Sequence, residues 1–315
     1  AMMREILMES RLDDEKRLKE ILAMLKSRLQ MSFQSSGHTT SALRALSYGS
    51  PLSKFKDDTD GIGFYEVVRD IEEHFEEKKA ELIQNLKQLS RQIFRVDNVM
   101  ISYTSSEDGL ASMEAAFREI KDTLYPELDG EEIPCVLHGR KRNEGFKTSS
   151  KVQYVARVGN FIDHGAQYHG ALQILKVILS YDYLWQNVRV KGGAYGCMSN
   201  FNRIGEGYLI SYRDPNLKKT MEVYEGVVDY LKNFTVDERD MTKYIIGTIS
   251  NIDRPMNPAA KGDRSMNLYM NHVSQEMIRT ERSQILHAAQ EDIRALAAVV
   301  EAMLKAEQIC ARLCI

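Results

Sequence analysis

Leu184-Trp185-Gln186-Asn187-Val188-Arg189-Val190-Lys191-Gly192-Gly193-Ala194-Tyr195-Gly196 is the stretch where a helical pattern gives way to a strand pattern. Residues 167–186 read as a helix leading into it, and residues 207–212 read as a strand beyond it. The single tryptophan, Trp185, stands near the helix end, followed by the cations Arg189 and Lys191 and then by two glycines. Glycines leading into a strand mark a backbone conformation, or a close approach, that a Cβ would block. Arg189 and Tyr195 are six positions apart. Along one extended strand that spacing is ~20 Å, whereas a path bent at Gly192-Gly193 turns both side chains toward one ligand. A purely architectural reading fits the same residues: a glycine helix cap, a cationic last turn and a tyrosine on a half-buried strand. The residues by themselves leave both open.

On the N-terminal side the text is helical. Leu18, Ile21, Leu22, Leu25 and Leu29 recur at three- and four-residue spacing within 12–31, as on an amphipathic helix. A polar stretch over 34–40 precedes a short helical pattern at 41–47, and Gly49-Ser50-Pro51 is turn chemistry. A second long helix is expected from about 65 to 92, with Val68, Ile71, Phe75, Leu82, Leu86 and Leu89 on one stripe. Residues 1–95 therefore read as a mostly helical partial domain. The pattern changes at Val96: 99–103 is a short β-rich run, 113–124 a helix, and 130–134 and 138–146 are loop-rich. Residues 151–158 alternate, with Val152, Tyr154, Ala156 and Val158 on one strand face. Asp214-Pro215 reads as an N-cap with proline at the first helical position, opening a helix to about 234. Thr235-Val236-Asp237-Glu238 reads as a capping box for a helix to about 252. Helical text, broken at Arg254-Pro255 and Asn257-Pro258, then runs to the C-terminus. Residues 96–315 form, on this reading, an α+β domain.

Composition narrows the function classes. A chain of 315 residues allows about two domains, and 43% apolar with 28% charged residues excludes a disordered chain. Forty-two Lys and Arg against 45 Asp and Glu give a net charge of −3, without the basic excess of a nucleic-acid binder. The longest unbroken apolar stretch, 295–300, is far short of the ~20 residues of a membrane helix. No nucleic-acid or membrane partner is expected. Cys135, Cys197, Cys310 and Cys314 are too few for a disulfide scaffold. Cys310 and Cys314 are spaced as small side chains on one helix face rather than as zinc ligands. With no secretory segment, a reducing, cytoplasmic location is expected. The opening Ala1-Met2-Met3, running straight into helical text, reads as a piece cut from a longer protein.

None of the seven histidines, His38, His74, His138, His164, His169, His272 and His287, begins H-E-x-x-H or H-x-x-E-H. They read as solvated or capping residues, and His164 and His169 turn away from each other on a helix. No phosphate-loop, nucleophile-elbow or dinucleotide fingerprint is present, and Gly205-Glu206-Gly207 reads as a hairpin turn. Glu72-Glu73 and Glu76-Glu77 belong to a solvated helix face.

The run from Arg189 to Gly196, after a helix ending Tyr183-Leu184-Trp185, resembles the C-terminal half of the pitrilysin/insulysin family of zinc metallopeptidases, in its presequence-protease, falcilysin-like branch. Ser36-Gly37-His38, Leu43-Arg44-Ala45-Leu46-Ser47-Tyr48 and Pro255-Met256-Asn257-Pro258-Ala259-Ala260-Lys261-Gly262 agree with it, so the resemblance covers nearly the whole chain. It implies a LuxS/metallopeptidase-like α+β fold, an antiparallel-rich mixed sheet covered by helices, in a protein of four homologous domains joined as two halves. Residues 1–95 would be the end of the third domain and residues 96–315 the fourth. It further implies zinc bound by H-x-x-E-H and a later Glu in the N-terminal half, a motif this sequence lacks. Arg189 and Tyr195 would then be catalytic groups, with Lys191, Gly192, Gly193 and Ala194 beside an extended peptide. In such a site a zinc-activated water attacks the peptide carbonyl, and the guanidinium and phenol stabilise the charge that develops. The partners implied are the N-terminal half of the same protein and an unstructured peptide. This chain alone is expected neither to bind catalytic zinc nor to cleave peptides, and an organelle matrix is the alternative location if a leader went with the missing half. A catalytically dead scaffold relative, as among respiratory-complex core proteins, is the alternative function, and a free-standing peptide-binding module a third. The presence of both Arg189 and Tyr195 favours the enzyme.

Overall fold

A computed structural model describes residues 2–127, 137, 143–147, 152–306 and 309–314. In chain order the helices are α1 (Met2–Met8), α2 (Glu15–Ser35), α3 (Gly37–Leu46), α4 (Pro51–Asp60), α5 (Ile62–Glu73), α6 (Phe75–Ile93), α7 (Leu110–Lys121), α8 (Ala171–Tyr181), α9 (Lys218–Glu225), α10 (Val227–Lys232), α11 (Glu238–Ile252), α12 (Pro258–Met270), α13 (Gln275–Leu286) and α14 (Gln290–Lys305). The strands are β1 (Asn143–Lys147), β2 (Tyr154–Asn160), β3 (Gly196–Phe201), β4 (Glu206–Tyr212) and β5 (Ile309–Cys314). The described residues fall into two compact units, one within 1–27, 66–135 and 255–274, the other within 28–65, 136–254 and 275–315. The division does not follow the 95/96 boundary read from the sequence. Residues 28–65 belong with the sheet.

The first unit is helical. Its α6 is tied to the start of α2 by Lys79–Glu15 at 2.8 Å and to the residue ahead of α2 by Lys87–Asp13 at 2.9 Å. Such exposed pairs contribute little each, so the unit rests mainly on its apolar stripes. The single helix expected over 65–92 is two helices. The chain leaves helical dihedrals at His74, and the next residue, Phe75, is buried at 3% exposure under the Lys19 ammonium. The β-rich run at 99–103 is not a strand. The only pairing near it among the described residues is an isolated bridge between Arg95 and Tyr125, so Val99, Met100 and Ile101 have no ladder to join and stay exposed. Gly262 of α12 is pressed against Thr104, where a Cβ would fall 1.9 Å from Oγ1.

The second unit is built on a five-stranded sheet in the order β1-β5-β2-β4-β3. The β1/β5 pair is parallel and the other pairs are antiparallel. This is the mixed, antiparallel-rich α+β sheet expected. The alternation read over 151–158 is only half of the pattern, because β2 is buried on both faces. Val155 packs with α8, α10 and α14 around Ile174, Leu175, Ile178, Leu231 and Val300. Ala156 and Val158 face the other way, against Ala42, Ala45 and Tyr48 of the α3 segment. Side chains of this size each contribute ~1.5–3 kcal/mol when fully buried. Gly159 has no room for a side chain, since a Cβ would meet the Met303 carbonyl oxygen at 2.0 Å.

Local chemistry moved several expected boundaries. Ser50 accepts from the Ser53 N–H and Pro51 takes the first helical position, so the Gly49-Ser50-Pro51 turn is also the start of α4. Asp214 does not cap a helix. It is wholly buried, accepts from the Asn216 N–H and the Thr220 hydroxyl, and the helix waits until Lys218. The helix to 234 is interrupted at Gly226, where a Cβ would meet the Tyr183 hydroxyl at 2.5 Å. The cap of α11 is Asp237, through the Asp240 N–H at 2.8 Å, and not Thr235. The C-terminus is not helical: β5 lies between β1 and β2. The spacing of Cys310 and Cys314 that suits one helix face also suits one strand face, because four is a multiple of the strand period. The loop-rich interval at 130–134, Cys135 and His138 lie outside the described residues, as do the side chains of Cys310 and Cys314.

A buried ion cluster anchors α3. The Arg44 guanidinium, 7% exposed, donates to Asp57 at 2.6 Å and to both oxygens of Glu144 on β1 at 2.8 and 3.3 Å. Asp57 also accepts from the Ile62 and Gly63 N–H groups, and the Tyr48 phenol donates to Glu144. Burial works against the Arg44 charge, yet the Glu144 and Asp57 carboxylates outweigh it and raise its pKa. Removing one partner of such a cluster strands the others in a poor solvent. Arg44→Met is expected to lose about 3 kcal/mol of unfolding free energy in urea titrations. A loss under about 1 kcal/mol would show the cluster to be no better than an exposed pair.

Candidate functional site

The expected long helix over 167–186 ends at Tyr181, and the chain makes one wide i→i+5 turn over Trp185–Val190. Lys191 N–H donating to the Gln186 carbonyl at 2.9 Å closes it. Leu184 and Val188 point inward and are buried, so the residues one step further along, Trp185 and Arg189, are only part-buried. The Arg189 guanidinium lies 3.8 Å from the Trp185 ring centre, a stacked cation–π pair that fixes it while leaving its edge donors available. Lys191 is exposed and bonds Asn187 at 3.3 Å.

The two glycines have separate reasons. At Gly192 a Cβ would fall 2.3 Å from the Val188 carbonyl oxygen, and the Gly192 carbonyl accepts from Asn216 at 2.5 Å. Gly193 has φ +80°, the left-handed region glycine enters freely. Ala194 is buried at 4%, donating its N–H to the Val188 carbonyl. Tyr195 follows with its N–H shared between the Tyr212 and Arg213 carbonyls at 3.0 and 3.3 Å, while its side chain is 67% exposed. Arg189 and Tyr195 therefore flank one bend, each with a fixed base and a solvent-facing head. Lys191, Gly192, Gly193 and Ala194 form the bend itself, and Gly192 and Ala194 are turned to the protein.

Behind Tyr195 lies an aromatic cluster that the sequence reading did not assemble. Tyr212 is its hub, with ring centres at 4.9 Å to His38, 5.6 Å to Tyr154 and 5.8 Å to Tyr195. The Tyr154 phenol bonds the Gln34 carbonyl, and burial raises its pKa. Arg213 sits 5.5 Å from the Tyr212 ring and has φ +49°, rare for a residue with a side chain. His38 is neither solvated nor a cap. Its Nδ1 is buried without a hydrogen-bond partner among the described residues. His169 does act near a helix start, accepting from the Ala171 N–H at 3.2 Å. Cys197, next along β3, is buried and its thiol is pushed up to about 11 by that burial, with Arg189 partly opposing. The alternation of Tyr208, Ile210 and Tyr212 on β4 was the signal available for the cluster. His38 lies too far away in sequence for any periodicity to join it.

The chain's relatives agree with this architecture. A conserved protein from Enterococcus faecalis V583 has the same fold at a TM-score of 0.55 and 14% identity, over 95% of this chain and 68% of that one. The family described as PreP C-terminal domain matches residues 143–311, and a second family, described as peptidase-associated, matches residues 1–71. The chain belongs to the PreP C-terminal domain family, the C-terminal half of pitrilysin-family presequence proteases. Protein HypA of Clostridium perfringens is 38% identical over 97% of this chain and 31% of its own length. Presequence protease 1, chloroplastic/mitochondrial, of Arabidopsis thaliana is 27% identical over 94% of this chain and 28% of its own length. The chain thus spans about three tenths of these curated relatives. Among the described residues no helix is long and apolar enough to cross a membrane.

Burial holds the His38 pKa below its ordinary value of 6.5. The unfolded chain takes up that proton first as pH falls, so unfolding becomes easier from about pH 6.5 downward to the lowered native value. The urea midpoint is expected to fall between pH 7.5 and pH 5, and to fall less in His38→Phe. Equal slopes would place His38 in solvent.

Proposed function

We propose that this chain is the non-catalytic C-terminal half of a zinc metalloendopeptidase that degrades unstructured peptides. Residues 1–95 are assigned to the end of its third domain and 96–315 to its fourth. The family matches support the assignment, and the bend between Arg189 and Tyr195 carries the chemical part of it. A stacked guanidinium with free edge donors and an exposed phenol on a pinned main chain are two donors that need little reorganisation to meet a peptide carbonyl. Placed where negative charge grows on that oxygen, they stabilise the transition state more than the bound peptide. Lys191 stands beside them in solvent, and the small residues Gly192, Gly193 and Ala194 leave room for an extended backbone.

Zinc has no place among the described residues of this chain. No three His, Cys, Asp or Glu side chains gather there as a metal site, so these residues do not fit the ion. Under this reading the ligands belong to the N-terminal half, the chain's obligatory partner. The consecutive exposed Val99, Met100 and Ile101, at 37%, 45% and 43%, support a surface that a partner covers. The soluble compartment follows that partner, the cytoplasm or an organelle matrix.

In the whole enzyme, Tyr195→Phe is expected to lower kcat about a hundredfold with little change in KM, the pattern of a donor used in the transition state. Unchanged turnover would overturn the role of Tyr195 and favour a scaffold. The present chain alone, supplied with zinc, is expected to cleave no peptide. Chelator-sensitive cleavage by it would overturn the division between halves.

A further inference from the structure

We propose that Tyr212 is the positioning residue for Tyr195, with His38 as the wedge that holds Tyr212 in place; the inference rests on the reading of Tyr195 given above. Three observations carry it. The first is the shared hydrogen bond. The Tyr195 N–H meets the carbonyl of Tyr212 at 3.0 Å and that of Arg213 at 3.3 Å, so the end of β4 sets where the Tyr195 backbone lies. Both carbonyls reach it at the point where Arg213 turns left-handed, at φ +49°. Such a conformation in a residue with a Cβ persists only where its surroundings impose it, and it concentrates at working sites.

The second observation is the ring contact. Tyr195 is 67% exposed, and an exposed tyrosine ordinarily samples several rotamers. Here the Tyr212 ring stands edge-on to it, 5.8 Å between centres at 68°, the arrangement aromatic quadrupoles favour. The Tyr195 hydroxyl therefore has one preferred direction without any hydrogen bond to hold it.

The third is the support behind Tyr212. His38 lies edge-on to it at 4.9 Å and 77°, and Tyr154 packs at 5.6 Å. The Arg213 side chain closes a further side at 5.5 Å. His38 keeps this place although its Nδ1 is buried with no partner among the described residues, a cost that a side chain chosen only to fill space would avoid. The chain of contact runs from α3 through the sheet end to the phenol. It positions a donor and touches no substrate.

The test is steady-state kinetics on the whole enzyme, with each variant made in the parent and in Tyr195→Phe. Tyr212→Leu removes the ring edge and is expected to lower kcat about fivefold with KM nearly constant. Tyr212→Phe keeps the ring and is expected to restore the parent rate. In the Tyr195→Phe background Tyr212→Leu is expected to add no further loss, because the group it positions is already gone. His38→Leu is the milder variant if Tyr212→Leu does not fold, with an expected twofold loss that also disappears in that background. Equal losses in both backgrounds, no loss in the parent, or a Tyr212→Phe as impaired as Tyr212→Leu would each overturn the inference while leaving the role of Tyr195 standing. A Tyr195→Phe enzyme of full turnover would instead remove the reading beneath it.

Discussion

The buried Arg44 guanidinium holds the sheet-bearing unit to one arrangement. It joins α3, the Asp57 end of α4 and Glu144 on β1, three segments far apart in sequence, through a single charged group. A buried arginine of this kind contributes less net stability than an apolar side chain of its volume, but it tolerates few geometries. Because α3 is a rigid helix, fixing Arg44 near its end also fixes His38 near its start, about 9 Å away along the axis. Ala42 and Ala45 between them press on Ala156, Val158 and Ile210 of the sheet. One charge cluster thus decides where the aromatic group around Tyr212 stands.

The bend at Gly192-Gly193 does the complementary work at the other side of that group. Ahead of it the chain is a wide helical turn pinned by Leu184 and Val188, and after it the chain is the outermost strand of the sheet. The steric demand at Gly192 and the left-handed φ at Gly193 make glycine the only residue that joins them without displacement. Arg189 and Tyr195 are thereby carried on two rigid elements instead of on a loose loop. Rigid support of this kind is what lets a donor act on developing charge without first being ordered.

Much of this was legible along the chain. The helix-to-strand change at 184–196, the glycine pair and the amphipathic stripes of 12–31 and 65–92 are local signals, set by side-chain period and by dihedral freedom. So was the motif from Arg189 to Gly196, because all its parts lie within a dozen residues. Where expectation and structure part, the cause is non-local. Residues 99–103 have strand composition and no strand to pair with. Residues 309–314 follow helical text and become the strand between β1 and β2, because two edges were waiting there. Asp214 has a capping residue's chemistry, and tertiary contact with Thr220 takes its carboxylate instead.

The sequence alone determined the class of each long element, the mixed α+β character, the candidate pair Arg189 and Tyr195 and the absence of an H-x-x-E-H motif, since each is written in neighbouring residues. Tertiary structure alone decided that residues 28–65 belong with the sheet, that β2 is covered on both faces, and that His38 meets Tyr154 and Tyr212. These are encounters between segments more than a hundred residues apart. No period or spacing in a single chain records them, because they arise only when apolar faces and a buried charge choose their partners from the whole molecule.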